Sequence, residues 1–382
     1  MKTADNHRMN SGDYMYIWQA EDWPQWRFDL AVLAAPMAEV SRAQGRLVGR
    51  LADVGLAPRD QASLAALTED VVKTSEIEGE ALNVASVRSS IARRLGVDIG
   101  ALAQVDRHVE GVVELVLDAT ANCHTPVTRE RLFGWHAALF PTGYSGLSKI
   151  NVGQWRDDVN GPMQMVSGPV GRQRVHFEAP PAHRLEAETT LFLDWIDAAS
   201  NAPALIKAGL GHLWLVTLHP FDDGNGRIAR AVGDPLLARA EGSPQRFYSL
   251  SAQIQRECKA YYEILERTQK GSLDVTEWLL WFFDALQSAV EQAHVGLDSV
   301  LAKARFWRQW AEAPMNERQV KLLNKLLDGL EGKLTTSKWA AIAKCSTDTA
   351  LRDITDLVVR GVLRKTDAGG RSTGYELNEL AR

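Results

Sequence analysis

Hydrophobic residues along this chain recur mostly at helical spacing, in stretches separated by short polar or glycine-containing breaks. Apolar positions fall on one stripe from Leu30 to Leu56, which predicts an amphipathic helix. The same spacing predicts further helices at residues 59–73, 84–95, 98–117, 129–139, 183–201 and 278–310. An apolar run at 213–218 is typical of a buried helix, and helical spacing resumes at Arg227. The pattern therefore predicts a mainly α-helical protein.

One short region departs from helical spacing. The runs 163–166 and 174–177 alternate between apolar and polar residues on either side of Ser167-Gly168-Pro169. Alternation with a period of two, interrupted by a glycine and a proline, is typical of two strands joined by a turn. We therefore predict a single β-hairpin in this otherwise helical part of the chain.

A separate module is predicted after a boundary near Pro314. Three short helices precede two strands there; the helices are predicted at 320–327, 337–343 and 347–359 and the strands at 361–365 and 374–377. This order resembles a winged helix-turn-helix, which we assign to residues 316–382. The segment holds 12 basic and 9 acidic side chains, a net charge of +3, which is mild for a DNA-binding module. We favour a protein interaction or a dimer contact there, with DNA binding as the alternative.

Composition describes an ordinary globular protein. With 382 residues the chain is long enough for two or three domains, and its 45% hydrophobic and 24% charged residues are typical of a packed core. The net charge of −5 gives no general reason to expect nucleic acid or an anionic membrane as a partner. No apolar run reaches the ~20 residues of a membrane helix, and the three cysteines are scattered. These features predict a cytoplasmic protein with reduced thiols.

Five aromatic residues crowd the segment 16–29. Such a cluster can seal a helical core or offer a stacking surface for bases, and few basic residues are interleaved with it. We therefore favour the core interpretation. The segment opens a small N-terminal helical domain that we predict at residues 13–70.

Candidate chemistry is concentrated in the stretch Leu218–Arg230, with the sequence L-H-P-F-D-D-G-N-G-R-I-A-R. Asp-Gly and Asn-Gly break the helical pattern, so the stretch is predicted to be a loop between two helices. Glycines let a backbone approach a ligand closely, and the N-terminus of the following helix offers unpaired N–H groups. The loop is therefore a candidate anion-binding site.

Four side chains in this stretch have the chemistry of a phosphate site. Arg227 and Arg230 are one helical turn apart and could both bind phosphate oxygens. Asp223 is a hard oxygen ligand for Mg²⁺, and His219 is a candidate general base. Each feature alone is more often a helix end, a turn or a solvated face. We favour catalysis because all of them occur together.

The stretch resembles the signature H-x-F-x-[D/E]-G-N-G-R-x-x-R of the Fic family, and every defining position from His219 to Arg230 matches. Fic enzymes transfer a nucleotide monophosphate, usually AMP from ATP, to a hydroxyl group of a protein. The resemblance implies a Fic catalytic domain at residues 71–290, in which Gly224, Asn225 and Gly226 cradle phosphates. The predicted N-terminal domain likewise resembles one that precedes the catalytic domain in some Fic proteins.

A second resemblance concerns regulation. Thr74 to Gly79 matches the inhibitory-helix motif [S/T]-x-x-x-E-[G/N] of the same family. It implies an inhibitory helix at residues 72–80, whose Glu78 pairs with Arg230 and blocks the place of the γ-phosphate. By helical geometry alone, Thr74 and Glu78 share one face and Gly79 is a candidate C-cap.

The resemblance also assigns two neighbouring regions. Residues 153–181 are implied to form a flap, where Val175 and His176 lie on a strand edge that captures an extended target segment by β-addition. Tyr261 and Tyr262 are implied to lie near the nucleoside; two tyrosines at the edge of the core remain the alternative.

The predicted function is transfer of AMP from ATP, with Mg²⁺, to a Ser, Thr or Tyr hydroxyl of a target protein, including self-modification. A related kinase-like subgroup has a lysine at the position of Gly226, which argues against that chemistry. Removal of AMP, transfer of another nucleotide, and a DNA-binding regulator that uses the Fic core as a sensor are the alternatives.

Overall fold

The computed structural model describes residues 16–52, 55–100, 102–169, 172–198, 202–330, 332–366 and 373–378. The chain divides into two compact units, Met1–Asp53 with Ser63–Ala293 and Val54–Ala62 with His294–Arg382. Helices dominate both units, so the prediction of a mainly α-helical protein is confirmed.

The helices occur in the following order. After a 3-10 turn at Ile17–Gln19 come α1 (Leu30–Ala52), α2 (Leu56–Ile77), α3 (Val84–Leu95), α4 (Arg107–Ala121), α5 (Arg129–Leu139), α6 (Ala182–Asp197), α7 (Ala204–Leu218), α8 (Asn225–Glu241), α9 (Leu250–Arg256), α10 (Cys258–Gln269), α11 (Thr276–Gln309), α12 (Glu317–Leu327), α13 (Thr336–Ala343) and α14 (Thr347–Val359).

The described strands form three antiparallel pairs. These are β1 (Tyr144–Ser145) with β2 (Ser148–Lys149), β3 (Gln164–Ser167) with β4 (Arg174–Glu178), and β5 (Leu363–Lys365) with β6 (Tyr375–Leu377). The pair β3–β4 is the predicted hairpin, and its register shifts between Met165 and Val166, so that His176 falls at an irregularity. The pair β1–β2 was not predicted, because its strands have two residues each and carry no alternating pattern.

Helix α7 is the centre of the first unit. Every residue from Leu205 to Leu218 is buried, and the helix packs along α8 and against α6. Helix α4 packs on both α5 and α8. Burial on all sides explains why the apolar run at 213–218 shows no amphipathic stripe, and it gives α7 and α8 a rigid setting for the loop between them.

The N-terminal aromatic residues pack as the sequence analysis favoured. Tyr16 lies edge-on to Phe177 of β4, with ring centroids 5.2 Å apart, and Trp18 donates to the carbonyl of Glu178 over 2.7 Å. Trp23 and Trp26 form a further cluster with Trp214 of α7. The aromatic segment therefore seals the base of the β3–β4 hairpin and one side of α7.

The second unit has a core of its own. Helices α12, α13 and α14 enclose Trp339, Leu322 and Ile354, and the strands β5 and β6 add Leu363 and Tyr375. A bridge from Leu334 to Tyr375 extends this small sheet. The element order is the one that the sequence analysis predicted for a winged helix-turn-helix, although the predicted glycine-rich loop lies mainly at residues 367–372, outside the described part of the chain.

Some predicted helix limits were wrong. The helix expected at 98–117 begins at Arg107, because the Asp106 side chain accepts the backbone N–H of Val109 and caps it there. The helix expected at 30–56 ends at Ala52, and the next begins at Leu56. The capping prediction for Thr128, in contrast, is confirmed: its side chain accepts the N–H of Arg131.

None of the helices in the described part of the chain is both long and apolar enough to cross a membrane.

We expect replacement of Gly111 by alanine to destabilise the first unit. A Cβ there would lie 1.8 Å from the carbonyl oxygen of Ala138, so α4 and α5 would have to separate. Overpacking of this kind costs about 1–3 kcal/mol. The control is Gly134→Ala on the exposed face of α5, where a Cβ meets nothing within 4 Å. Replacing that helical glycine by alanine should stabilise the folded protein by about 0.5–1 kcal/mol. Equal unfolding midpoints for the two variants in urea would contradict the close helix contact.

Candidate active site

The predicted loop lies between α7 and α8 and begins with an unusual backbone conformation. His219 has φ 47° and ψ 56°, in the left-handed region, and its N–H donates to the carbonyl of Leu215 over 3.0 Å. Gly224 is also left-handed, with φ 78°, and caps the start of α8. The first N–H groups of a helix have no partner within it, so the loop ends on the anion-binding end of α8.

Arg156 holds the strained end of α7 in place. Its Nε donates to the carbonyl of His219 over 2.8 Å, and its main-chain N–H donates to the carbonyl of Pro220 over 2.9 Å. The side chain is buried and pairs with Asp158 over 2.7 Å. Left-handed backbone in a residue with a Cβ is unfavourable, and these bonds offset that cost. Arg156 is therefore a structural determinant of where the His219 imidazole points.

Asn225 braces the loop from within. Its Nδ2 donates to the carbonyl of Phe221 over 2.7 Å, and its Oδ1 accepts the N–H of Phe221 over 2.9 Å. Phe221 in turn stacks on the buried His136, with ring centroids 4.4 Å apart. The resemblance implied that Asn225 cradles phosphate. The Asn225 side chain is bonded to Phe221, so the implied contact with phosphate would fall to its main-chain N–H at the start of α8, and this stays a prediction.

The His219 imidazole is arranged to accept a proton. Its Nδ1 lies 3.1 Å from the carbonyl oxygen of Val216, and because a carbonyl can only accept, Nδ1 carries the hydrogen. Nε2 is then the unprotonated nitrogen. Burial lowers the pKa of His219 to about 4, with the nearby Arg156 acting in the same direction. The ring is therefore neutral at pH 7, as a general base must be.

Asp223 places one carboxylate beside the start of α8. Its Oδ2 contacts the hydroxyl of Ser145 on β1, and its Oδ1 accepts the N–H of Gly224 over 2.5 Å. The described residues contain no group of three or more His, Cys, Asp or Glu side chains arranged for a metal ion. A single carboxylate fits Mg²⁺ only when substrate phosphates supply further oxygens, which is a common arrangement for this ion.

The two arginines in the first turns of α8, Arg227 and Arg230, are buried and face the end of α2. Arg230 donates from Nε to Thr74 Oγ1 over 2.8 Å and from Nη2 to the Thr74 carbonyl over 2.9 Å. The same Nη2 lies 2.8 Å from Oε1 of Glu78. The pair implied by the motif resemblance is thus present as a contact, and Thr74 fixes the orientation of the guanidinium.

Glu78 lies directly over the first turn of α8. A Cβ added to Gly226 would be 2.1 Å from Glu78 Oε1, so only glycine admits the carboxylate this close. That position combines the positive end of the helix dipole with a buried arginine, which is where an anion is most favoured. The Glu78 carboxylate thus lies at the candidate anion site predicted for the loop.

Arg227 has a carboxylate partner that the sequence analysis did not assign. Its Nη1 lies 2.7 Å from Oε2 of Glu80, and the same oxygen lies 3.2 Å from Nε2 of His108 on α4. Arg227 also lies over the ring of Phe140, with 5.3 Å between Cζ and the ring centroid. Both arginines of the motif are therefore paired with acids from the end of α2.

The two tyrosines of α10 occupy different environments. Tyr261 is 1% exposed, and its hydroxyl lies 2.9 Å from Nε2 of the buried His212. Tyr262 is 48% exposed. Tyr261 lies in the core, because the aromatic packing of α10 on Trp278 and Trp281 turns it inward. Both tyrosines interact electrostatically with Arg230, and the implied place of the pair near the nucleoside stays a prediction.

The hairpin β3–β4 is tied to α10 through one carboxylate. Glu266 accepts from His176 Nδ1 over 2.7 Å, from Arg174 over 2.8 Å and from Lys270 over 2.8 Å. These bonds lower the pKa of Glu266 to about 2 despite an opposing effect of desolvation. Val175 is paired with Val166. The predicted flap residues are thus anchored beside α10, with His176 held by its ring.

No local pattern pointed to a role for Arg156, Ser145 or His108, since each is an ordinary residue type in an ordinary sequence context. Glu80 directly follows Gly79, the last residue of the inhibitory motif, so the acid-rich end of α2 was the available signal. Its partner, however, lies 147 residues away.

Two family models match the chain. Residues 126–237 match the model described as the Fic/DOC family, and residues 16–97 match that of a domain of unknown function (DUF4172). The first range contains the whole loop between α7 and α8, together with β1 to β4. The second contains α2 and both of its acidic residues that contact α8.

Curated relatives match part of the chain. A uridine 5'-monophosphate transferase of Xanthomonas campestris is 31% identical over 124 residues, which are 30% of this chain and 21% of that protein. A protein adenylyltransferase Fic of Nematostella vectensis is 36% identical over 101 residues, or 25% of this chain and 21% of that protein. The match thus spans about a fifth of the length of these relatives.

Among solved structures, a Fic family protein from Desulfovibrio desulfuricans superposes with a TM-score of 0.53 at 20% sequence identity. The likeness covers 91% of this chain and 96% of that one. At this level of sequence identity, the likeness concerns the fold alone.

We expect the His219 ring to remain neutral, with hydrogen on Nδ1, from pH 8 down to about pH 5. Its pKa of about 4 places proton uptake well below the usual range for histidine. Ring nitrogen chemical shifts in ¹⁵N-histidine-labelled protein would show this, with the resonance assigned by its loss in His219→Asn. A ring that is protonated at pH 6 would contradict the buried, carbonyl-bonded geometry.

Proposed function

The chain belongs to the Fic/DOC family through residues 126–237, and from this premise we propose that it is a protein adenylyltransferase. It transfers AMP from ATP to a Ser, Thr or Tyr hydroxyl of a target protein. One observation carries the proposal: an open imidazole nitrogen, a helix N-terminus and two buried arginines meet at the loop between α7 and α8. Phosphoryl transfer requires little more than such positioning and charge neutralisation.

In the proposed reaction the target hydroxyl oxygen attacks the α-phosphorus of ATP in line. The new bond joins this oxygen to phosphorus, the bond to the β-phosphate oxygen breaks, and pyrophosphate leaves. His219 Nε2 takes the proton from the hydroxyl, since Nδ1 is committed to the Val216 carbonyl. Arg227 and Arg230 hold the β- and γ-phosphates, and the first N–H groups of α8 contact phosphate oxygens.

Asp223 is the residue that would hold Mg²⁺ against the phosphates. When bound, Mg²⁺ neutralises charge on the departing pyrophosphate. The chain's own contribution is to fix the carboxylate: Ser145 contacts one oxygen and the Gly224 N–H donates to the other.

AMP is the preferred group because three of the matched relatives have names that include protein adenylyltransferase, from Nematostella vectensis, Histophilus somni and Drosophila willistoni. The Xanthomonas relative is named for uridine 5'-monophosphate transfer, so the base must be tested directly. Incubation of the protein and a cell lysate with α-labelled ATP, GTP, CTP or UTP does so. Labelling of protein only by UTP would replace AMP with UMP in the proposal.

The hairpin β3–β4 is the proposed docking element for the target. Main-chain groups on a strand edge pair with an extended segment and present its hydroxyl to the loop. The bonds from Arg174 and His176 of β4 to Glu266 support this role, because they fix the hairpin relative to α10.

Self-inhibition is the second part of the proposal. Glu78 pairs with Arg230 and lies 2.1 Å from where a Cβ of Gly226 would be, so its carboxylate and a γ-phosphate compete for one place. The side chain of Glu78 is 29% exposed, whereas that of Arg230 is 5% exposed. A carboxylate with access to solvent can leave more readily than the buried arginine, so we expect the wild-type enzyme to be slow but not inactive.

We expect His219→Ala to abolish label transfer from α-labelled ATP while the protein stays folded. Loss of a general base typically reduces the rate by ~10²–10⁴. Transfer to protein is measured on gels, and circular dichroism with a thermal melt is the folding control. A folded variant with near wild-type activity would refute the mechanism.

We expect Glu78→Gly to bind ATP more tightly and to modify itself faster than wild type, because Arg230 becomes available to the γ-phosphate. Arg230→Ala should lose activity, and the double variant should not recover it. Glu76→Gly is the matched control, since it loosens the same helix turn but removes an acid that pairs with Lys73. If Glu78→Gly and wild type have equal ATP affinity and equal self-labelling, Glu78 is not inhibitory.

A further inference from the structure

The end of α2 presents two carboxylates. After Glu78, Gly79 adopts φ +79°, its N–H donates to the Glu76 carbonyl, and the N–H of Glu80 donates back to the Ser75 carbonyl, each over 3.0 Å. This is the hydrogen-bond pattern of a Schellman C-cap, which requires a left-handed residue where Gly79 stands. The turn reverses the chain so that Glu80, like Glu78, reaches the first turns of α8.

Glu80 contacts the first arginine of the loop as Glu78 contacts the second. Its Oε2 lies 2.7 Å from Nη1 of Arg227, whose side chain is 1% exposed, whereas the side chain of Glu80 is 36% exposed. Nε of Arg227 is buried and has no hydrogen-bond partner among the described residues. The guanidinium is thus shielded from water, incompletely bonded, and neutralised by a single carboxylate that itself reaches solvent.

His108 of α4 holds Glu80 in this place. Its Nε2 lies 3.2 Å from the oxygen that faces Arg227. The hydrogen bond from His108 lowers the pKa of Glu80, and the same bond raises the pKa of His108. Glu80 is therefore ionised at neutral pH and is fixed from two sides.

We propose that Glu80 is a second inhibitory carboxylate, which occupies Arg227 and must leave it before that arginine can bind a phosphate. The inference rests on the proposed function, in which Arg227 and Arg230 bind neighbouring phosphates of the nucleotide. Two pairs then close the site, one on each arginine, and removal of Glu78 opens only one of them. His108 is a positioning residue for the second pair.

The number of phosphates on the ligand separates the two pairs. AMP lacks both phosphates that the arginines bind, ADP has the one assigned to Arg227, and ATP has both. Release of Arg227 should therefore strengthen the binding of ADP and ATP and leave the affinity for AMP unchanged. Release of Arg230 should mainly strengthen the binding of ATP.

The test measures the affinity of AMP, ADP and ATP by isothermal titration calorimetry with Mg²⁺, in full-length protein carrying His219→Ala so that no nucleotide is consumed. Glu80→Gln keeps the shape of the side chain and removes its charge. Added to Glu78→Gly, it should strengthen the binding of ADP and ATP by about 1.5- to 5-fold, the range for a partly exposed ion pair. Glu76→Gln, which removes an acid paired with Lys73 on the same helix, is the control. It should change none of the three nucleotide affinities.

An unchanged or weaker affinity for ADP in Glu80→Gln would overturn the inference; a weaker one would mean that Glu80 holds Arg227 in its productive place. Equal gains for AMP and ADP would overturn it as well, because they would reflect a general change of charge. If either of these results for Glu80→Gln occurs together with tighter binding of ATP to Glu78→Gly, the role of Glu80 is rejected and the proposed function is retained. If no nucleotide binds to any variant, both proposals fail.

Discussion

Two arginine side chains, buried one helical turn apart, create the electrostatic requirement on which the rest of the site depends. The side chains of Arg227 and Arg230 are 1% and 5% exposed, and a buried cation is unfavourable unless an anion and further hydrogen bonds accompany it. Here the anions are Glu78 and Glu80. The phosphates of a nucleotide would satisfy the same requirement. Carboxylate and phosphate would therefore be alternative partners for the same guanidinium groups. A site able to bind polyphosphate strongly can for the same reason be blocked by a carboxylate of its own chain.

The loop between α7 and α8 is held by hydrogen bonds from neighbouring side chains to its main chain. His219 stands in a left-handed conformation that is unfavourable by about 1–2 kcal/mol for a residue with a Cβ. Arg156 bonds to the carbonyls of His219 and Pro220, and Asn225 bonds to both polar groups of Phe221. These contacts offset the strain and fix the imidazole with one nitrogen committed and the other open. In the proposed mechanism His219 would therefore need no reorganisation when a substrate arrives, which is the advantage of a rigid site.

How far the sequence predicted this structure depends on how local each feature is. The helix at 347–359 was predicted with its observed limits, because periodicity and capping residues lie within the segment itself. The helix at 98–117 was placed too early, since the capping role of Asp106 outweighs the apolar residues before it. Glu78 was found through its motif. The contacts of Arg156 and Glu80 join distant parts of the chain, 63 and 147 residues apart, and no local pattern in a single sequence encodes them.

The anchoring of α2 limits how the two carboxylates that we propose to be inhibitory could leave. One turn before Thr74, the carboxylate of Asp70 accepts from the Ser249 hydroxyl over 2.7 Å and from the Ser251 N–H over 3.2 Å, and all of these groups are buried. This end of the helix is tied to the start of α9 by bonds that involve neither arginine of the motif. The acids, in contrast, lie in the last turn and in the glycine-containing reversal that follows it. On the proposed inhibition, opening the site would require movement of two partly exposed side chains and one turn, while the buried anchor would keep α2 in place.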